Sequence, residues 1–160
     1  MPITCCFIKE QYFIDHAHFV KMLDSGNTIK QSHRTHLCVK VTDNDKTFYI
    51  PLRNNLGADV RVFGRIGHAV PSKDRPKAGL DYRYALIIND PNYIEIPTSQ
   101  RIPESQRKKL LRDIAVIEDE FHNYLSGFMK AAKKNRIDRE PLYRESALIN
   151  FRSELGIADH

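Results

Sequence analysis

The sequence is short of the features that mark several large protein classes. Its three cysteines, Cys5, Cys6 and Cys38, are an odd number and show none of the paired spacings that hold zinc. A disulfide framework is therefore not expected, and free, mostly buried thiols in a reducing compartment are. No stretch is long and apolar enough to span a bilayer. The opening Ile3-Thr4-Cys5-Cys6-Phe7-Ile8 lacks the basic lead of a signal peptide and runs straight into Lys9-Glu10, so the expected location is cytoplasmic, away from membranes. No glycine-rich turn has the spacing of a phosphate loop or dinucleotide fingerprint, and no serine sits in a nucleophile elbow. The carboxylates are scattered, and His16 and His18, two apart on an expected helix, point to different sides. No metal and no other cofactor is expected, and there is no internal repeat.

What is present fits one domain spanning residues 1–160, since 160 residues with 41% hydrophobic content can fill a single core. The formal net charge of +5 suits a polyanionic partner, because each neutralised phosphate releases condensed counterions. The charge is concentrated. Between Arg53 and Arg83 stand Arg61, Arg65, Lys73, Arg75 and Lys77, against Asp59, Asp74 and Asp81, in a segment rich in Gly and Pro.

The periodicities predict an α+β fold. Ile3 to Ile8 reads as a strand, and Asp15 as the N-cap of a short helix carrying Phe19, Val20 and Leu23 and closed by Ser25-Gly26. Alternating Leu37, Val39 and Val41 form a strand that Thr42–Lys46 turns into a second, Thr47 to Ile50, which Pro51 ends. A long loop from Asn54 to Tyr82 holds a possible short strand at Val60-Arg61-Val62-Phe63; strands at 84–88 and 93–96 follow. Pro103-Glu104 then opens a long amphipathic helix with Leu110, Ile114, Ile117, Phe121, Tyr124, Leu125, Phe128 and Ala132 on one stripe. A last helix is expected from Pro141 to Leu155, stopped by Gly156.

One cluster can carry chemistry. An antiparallel hairpin returns the end of its second strand beside the start of its first, so His33, Arg34 and His36 should lie near Arg53, Asn54 and Asn55. Imidazoles, guanidinium groups and amides suit RNA cleavage without a metal, in which the ribose 2′-OH attacks the adjacent phosphorus and leaves a 2′,3′-cyclic phosphate. That reaction needs a proton acceptor, a proton donor and fixed positive charge on the phosphorane oxygens. Each residue also has a structural use: Arg53 covering the mouth of the sheet, Asn54-Asn55 as turn residues, His33 and His36 as solvated strand edges. Lys30, Asn55, Arg61, Arg65, Lys73, Lys77, Lys108 and Lys109 are candidate RNA contacts, as are Lys133, Lys134 and Arg136 at the basic end of the long helix. Tyr82 and Tyr84 are both candidates for base stacking, with a place in the core as the other use of Tyr84.

Three segments in order then carry a resemblance. Tyr12-Phe13-Ile14-Asp15, His33-Arg34-Thr35-His36-Leu37-Cys38-Val39-Lys40-Val41 and Phe48-Tyr49-Ile50-Pro51-Leu52-Arg53-Asn54-Asn55 together resemble the toxins of type III toxin-antitoxin systems, the ToxN and AbiQ group. The Ile-Pro-Leu-Arg-x-Asn turn, the segment Gly79-Leu80-Asp81-Tyr82-x-x-Ala85-Leu86 and the closing Tyr143 to Gly156 are most similar to the TenpIN branch. The resemblance implies a strongly twisted, partly closed antiparallel β-barrel similar to the MazF and Kid toxins, with packed helices. It implies a metal-independent endoribonuclease that cuts cellular or phage RNA and processes its own repeated antitoxin transcript. The antitoxin repeats, folded as pseudoknots, would hold the toxin in a closed protein–RNA ring, in the setting of abortive infection or plasmid maintenance. The family's turn carries Thr-Ser and a lysine where this chain has Arg53, Asn54 and Leu56, and an upstream family lysine matches Arg34. Arg53 and Arg34 then stand as phosphate stabilisers, Asn54 as the group that positions the 2′-OH, and His33 or His36 as the proton carrier. A non-catalytic RNA-binding module is the alternative that shares the same basic surface.

Overall fold

Alternation builds the centre of the molecule. Leu37 and Val39 lie opposite Ile50 and Phe48, and all four are buried, so one face of this hairpin is core. The computed structural model describes residues 4–41, 46–58, 66–98 and 102–157. The strands are β1 (Cys5–Ile8), β2 (His36–Val41), β3 (Lys46–Arg53), β4 (Gly67–Ala69), β5 (Gly79–Asp81), β6 (Leu86–Ile87) and β7 (Ile94–Glu95). All pairings are antiparallel, in the order β4-β5-β3-β2-β1-β7, with β6 also on β3. Residues 42–45, which carry most of the expected turn, lie outside the described residues, as does the expected strand at 60–63.

Several expectations are corrected. The sheet is not closed into a barrel: among the described residues β4 and β7 end it as unpaired edges. These edge strands are three and two residues long, so each offers few backbone groups for a closing partner. Pro51 does not end the ladder. It sits within β3 opposite His36, and the pairing runs on through the Leu52 amide, which donates to the Thr35 carbonyl at 2.9 Å. On its other edge β3 pairs first with β6, Phe48 and Tyr49 opposite Ile87 and Leu86, and then with β5, Leu52 and Arg53 opposite Leu80 and Gly79. The strands expected at 84–88 and 93–96 are two residues each, each preceded by a 3-10 turn, at Tyr82–Tyr84 and Pro91–Tyr93.

The short helices also differ from expectation. α1 spans Glu10–Asp15 and stops at Asp15 instead of starting there, since the Asp15 carboxylate accepts from Gln11 Nε2 and the Tyr93 hydroxyl, both at 2.7 Å, and is not free to cap. The chain then turns through Lys21 and Asp24, both at positive φ, and His16 and His18 are not helical. The Asn150 amide fastens this turn by pairing with the backbone of Val20 at 2.9 and 2.8 Å. α2 spans Thr28–His33 and begins where Asn27 Oδ1 accepts from the Lys30 amide at 3.0 Å. Ser25-Gly26 therefore precedes a helix and does not close one. The C-terminal helix is replaced by turns around a 3-10 segment, Ala147–Phe151, although Leu148, Phe151 and Leu155 are buried and Gly156 does make the stop, at φ +68°.

The long helix matches its prediction. α3 spans Glu104–Lys133 and buries Leu110, Ile117, Phe121, Tyr124, Leu125, Phe128 and Ala132, with Ile114 half-buried at the margin. Each fully buried Leu, Ile or Phe here contributes about 2 kcal/mol against the entropy of ordering it. Phe121 meets Phe48 of β3 edge-on at 5.0 Å between ring centroids, which seats the helix on the sheet. Of the three free thiols, Cys6 is buried and Cys5 and Cys38 are half-buried. Burial pushes Cys5 up to about 11 and Cys6 up to about 12. Among the described residues no helix is long and apolar enough to cross a membrane.

Candidate active site

The end of α2 and the end of β3 meet at an open cleft of about 640 Å³. Lys30, His33 and Arg34 line it from α2, Leu52 and Asn54 from the end of β3, Asp74 and Arg75 from the loop between β4 and β5, and Gln106 from the first turn of α3. Four residues singled out in the sequence, Lys30, His33, Arg34 and Asn54, are thus brought together. Arg34 is fixed in place: its Nε and Nη2 donate to Asp24 Oδ2 at 3.0 and 2.9 Å, and Nη1 donates to the Leu52 carbonyl at 3.2 Å. Lys30 shares the Asp24 carboxylate at 3.3 Å. His33 is exposed, and with Thr35 it also lines a second cavity of about 530 Å³ that Lys9, Glu10 and Glu95 border. The imidazole therefore sits on the saddle between two basins.

Strand parity takes Arg53 elsewhere. Leu52 and Asn54 face the cleft, and Arg53 between them does not line it. Its Nη1 donates to Asp81 Oδ2 at 2.9 Å, and its guanidinium lies 5.7 Å from the Tyr84 ring centroid. Asp81 is fully buried and also holds Arg83, whose Nε and Nη2 donate to it at 3.0 and 2.8 Å. Two guanidinium groups thus satisfy one buried carboxylate, the pairing such a charge requires.

His36 is corrected as an accessible proton carrier. It is 4% exposed, donates from Nδ1 to the Arg34 carbonyl at 3.0 Å, and is pushed down to about 4 by burial. Burial separates the two tyrosines. Tyr82 is fully buried with its hydroxyl donating to Glu120 Oε1 at 2.8 Å, so its ring cannot stack on a base, while Tyr84 is half-buried beside Arg53 and Arg83.

The remaining basic candidates are dispersed. Lys73 and Lys77 are exposed on the β4–β5 loop without lining the cleft. Asn55 is exposed and its Oδ1 accepts from the Gly57 amide at 2.8 Å, as a turn residue does. Lys108 is exposed on α3, and Lys109 pairs with Asp113 at 2.6 Å. Lys133, Lys134 and Arg136 are exposed at the far end of α3, roughly 40 Å along the helix from Gln106 at 1.5 Å per residue. Arg61 and Arg65 lie outside the described residues.

Arg75 and Gln106 are among the lining residues that the sequence reading does not name as site residues. The available signal was a second line on α3: Gln106, Asp113 and Glu120 recur every seven residues and so share a face beside the apolar stripe. All three bind the β4–β5 unit. Gln106 Nε2 donates to the Val70 carbonyl at 2.7 Å, and His68 of β4 lies between Asp113 Oδ2 at 3.0 Å and Glu120 Oε1 at 2.8 Å.

The chain matches no protein-family profile and no curated protein sequence. Among solved structures it is similar to AbiQ, a lactococcal anti-phage endoribonuclease belonging to the type-III toxin-antitoxin system. The TM-score is 0.66 and the match covers 98% of this chain and 98% of that one, at 14% sequence identity. The likeness shows a shared α+β fold along the whole chain.

Proposed function

We propose that the chain is the endoribonuclease toxin of a type III toxin-antitoxin system and cuts RNA in the cleft at His33. The observation that carries this reading is the meeting of Lys30, His33, Arg34 and Asn54 at one open cleft, on a fold shared with AbiQ. In the proposed reaction His33 takes the proton of a ribose 2′-OH held by Asn54. The O2′–P bond forms, the P–O5′ bond breaks, and the imidazolium returns its proton to the leaving 5′ oxygen. Lys30 and Arg34 supply positive charge for the phosphorane oxygens. Arg53 stands outside this assignment because its guanidinium faces Asp81 across the strand. The cleft's lining of cations and amides supports a reaction that needs no metal ion.

Under the same reading the inhibitor is a small repeated RNA, folded as a pseudoknot, that the toxin processes and that holds it in a closed protein–RNA ring in the cytoplasm. Membership of the TenpIN branch is proposed on the Ile50-Pro51-Leu52-Arg53-x-Asn55 turn, the Gly79-Leu80-Asp81-Tyr82-x-x-Ala85-Leu86 segment and the Tyr143 to Gly156 segment. Induced expression in a bacterial host tests the proposal. Growth should stop with fragmentation of cellular RNA; the reading also expects an array of short tandem repeats upstream of the reading frame, whose co-expression should restore growth. Unimpaired growth with intact RNA would overturn the reading.

A further inference from the structure

The loop between β4 and β5 is built more rigidly than its length and charge require. Across it, the Val70 amide donates to the Ala78 carbonyl at 2.9 Å, the Ser72 amide donates to the Arg75 carbonyl at 3.1 Å, and the Arg75 amide donates back to the Ser72 carbonyl at 3.2 Å. Ser72, nine-tenths buried, also accepts from the Arg75 amide at Oγ, at 3.1 Å, and the Ala78 amide donates to the Arg75 carbonyl at 3.2 Å. The backbone of Arg75 is thus tied on both sides. The base of the loop is pinned in turn to α3, through Gln106 to Val70 and through His68 to Asp113 and Glu120.

This rigid tip carries three cations, and one of them is different. Lys73, Arg75 and Lys77 are all exposed, but only Arg75 lines the cleft, opposite Lys30, His33 and Arg34. Among the described residues its guanidinium has no carboxylate partner, whereas Arg34 and Arg53 are each bound to an aspartate. Asp74 is the one acidic side chain of the lining and sits beside it on the same tip. A planar, always charged fork on a pre-ordered backbone, lining the same open cleft as an imidazole and an amide, is suited to bidentate contact with a phosphate.

From this we infer that Arg75 is the cleft's principal phosphate ligand, reaching from the β4–β5 tip to the phosphate that lies against His33. The inference rests on reading the cleft as an RNA site. Arg34, besides adding charge, also holds α2 against β3 through the Leu52 carbonyl and Asp24, and Arg75 adds to the charge of Lys30 and Arg34 a guanidinium that, among the described residues, no carboxylate shares. The ligand class is a phosphodiester of single-stranded RNA, since the cleft is open and the contact reads no base.

The neighbouring lysines make the test sharp, because Lys73→Ala and Lys77→Ala remove the same charge from the same tip without touching the lining. Binding is measured to a fully 2′-O-methylated oligoribonucleotide, which cannot be cut, across a salt series; cleavage is measured on the unmodified strand. Arg75→Ala is expected to flatten the slope of log affinity against log salt by about 0.7, the loss of one single-strand phosphate contact. It should also lower kcat/KM at least about 100-fold, with Arg75→Lys intermediate. Lys73→Ala and Lys77→Ala should stay within about threefold of the parent, as diffuse charges do. If Arg75→Ala matches the two lysine variants in both assays, the inference is overturned. If the Arg75 contact appears in binding while the unmodified strand stays intact with the parent protein, the inference stands and the cleavage reading falls. No binding by the parent protein would overturn both.

Discussion

At the scale of single residues, burial separates side chains that the sequence presents as equals. His33 and His36 flank the same two residues, yet His33 ends α2 in the open and His36 is shut in under β3. His36 also sets a pH dependence. Burial lowers its folded value to about 4 from 6.5, so the unfolded chain binds the proton more readily and the native state loses stability as pH falls from 6.5 through 4. The contribution present above pH 6.5 is roughly 3 kcal/mol. Chemical denaturation of the parent and of His36→Gln should show the variant losing less stability between pH 7 and pH 4; parallel losses would contradict the assignment. Arg53→Ala should lower stability by about 1–3 kcal/mol, because Asp81 loses one of its two guanidinium partners, and should reduce cleavage far less than His33→Ala. The roles of Tyr82 and Tyr84 were not legible in sequence, because two tyrosines two apart fit either assignment until a 3-10 turn aims one at Glu120.

At the scale of elements, legibility followed length. Thirty residues of 3.6-residue periodicity specify α3, and the β2–β3 alternation specifies a hairpin, since each repeats its signal several times. α1 and α2 are six residues each, too short for a period to show, and their boundaries depend on where Asp15 and Asn27 spend their side chains. The C-terminal segment buries its apolar residues without completing an α-helical ladder, so its apolar pattern specifies burial and not conformation. The β4–β5 unit, hidden in a Gly- and Pro-rich stretch, depends on Gly79. A Cβ there would collide with the His68 carbonyl oxygen and with Leu56. Gly79→Ala should therefore cost about 1–3 kcal/mol, the range for forced overpacking, and the thermal midpoint should fall by several degrees. An unchanged midpoint would mean that β4 can shift away from β5 without loss.

At the scale of the whole molecule, α3 joins the fold to the chemistry. Its apolar stripe packs on the sheet through Phe121 and Phe48, and its Gln106, Asp113 and Glu120 line fastens the β4–β5 unit whose tip forms one wall of the cleft. The location of the candidate site was legible, because hairpin topology must return the end of β3 to the start of β2. Its composition was only partly so: parity removed Arg53, burial removed His36 and Tyr82, and the far wall came from a loop and a helix remote in sequence. The account's central claim is that this cleft cuts RNA with His33 as the proton carrier. Mapping the ends left on purified RNA incubated with the protein in EDTA tests it most directly. The account predicts new 2′,3′-cyclic phosphate and 5′-hydroxyl ends that chelation does not diminish and that disappear with His33→Ala while persisting with Arg53→Ala. Ends lost on chelation, or formed undiminished by His33→Ala, would contradict it.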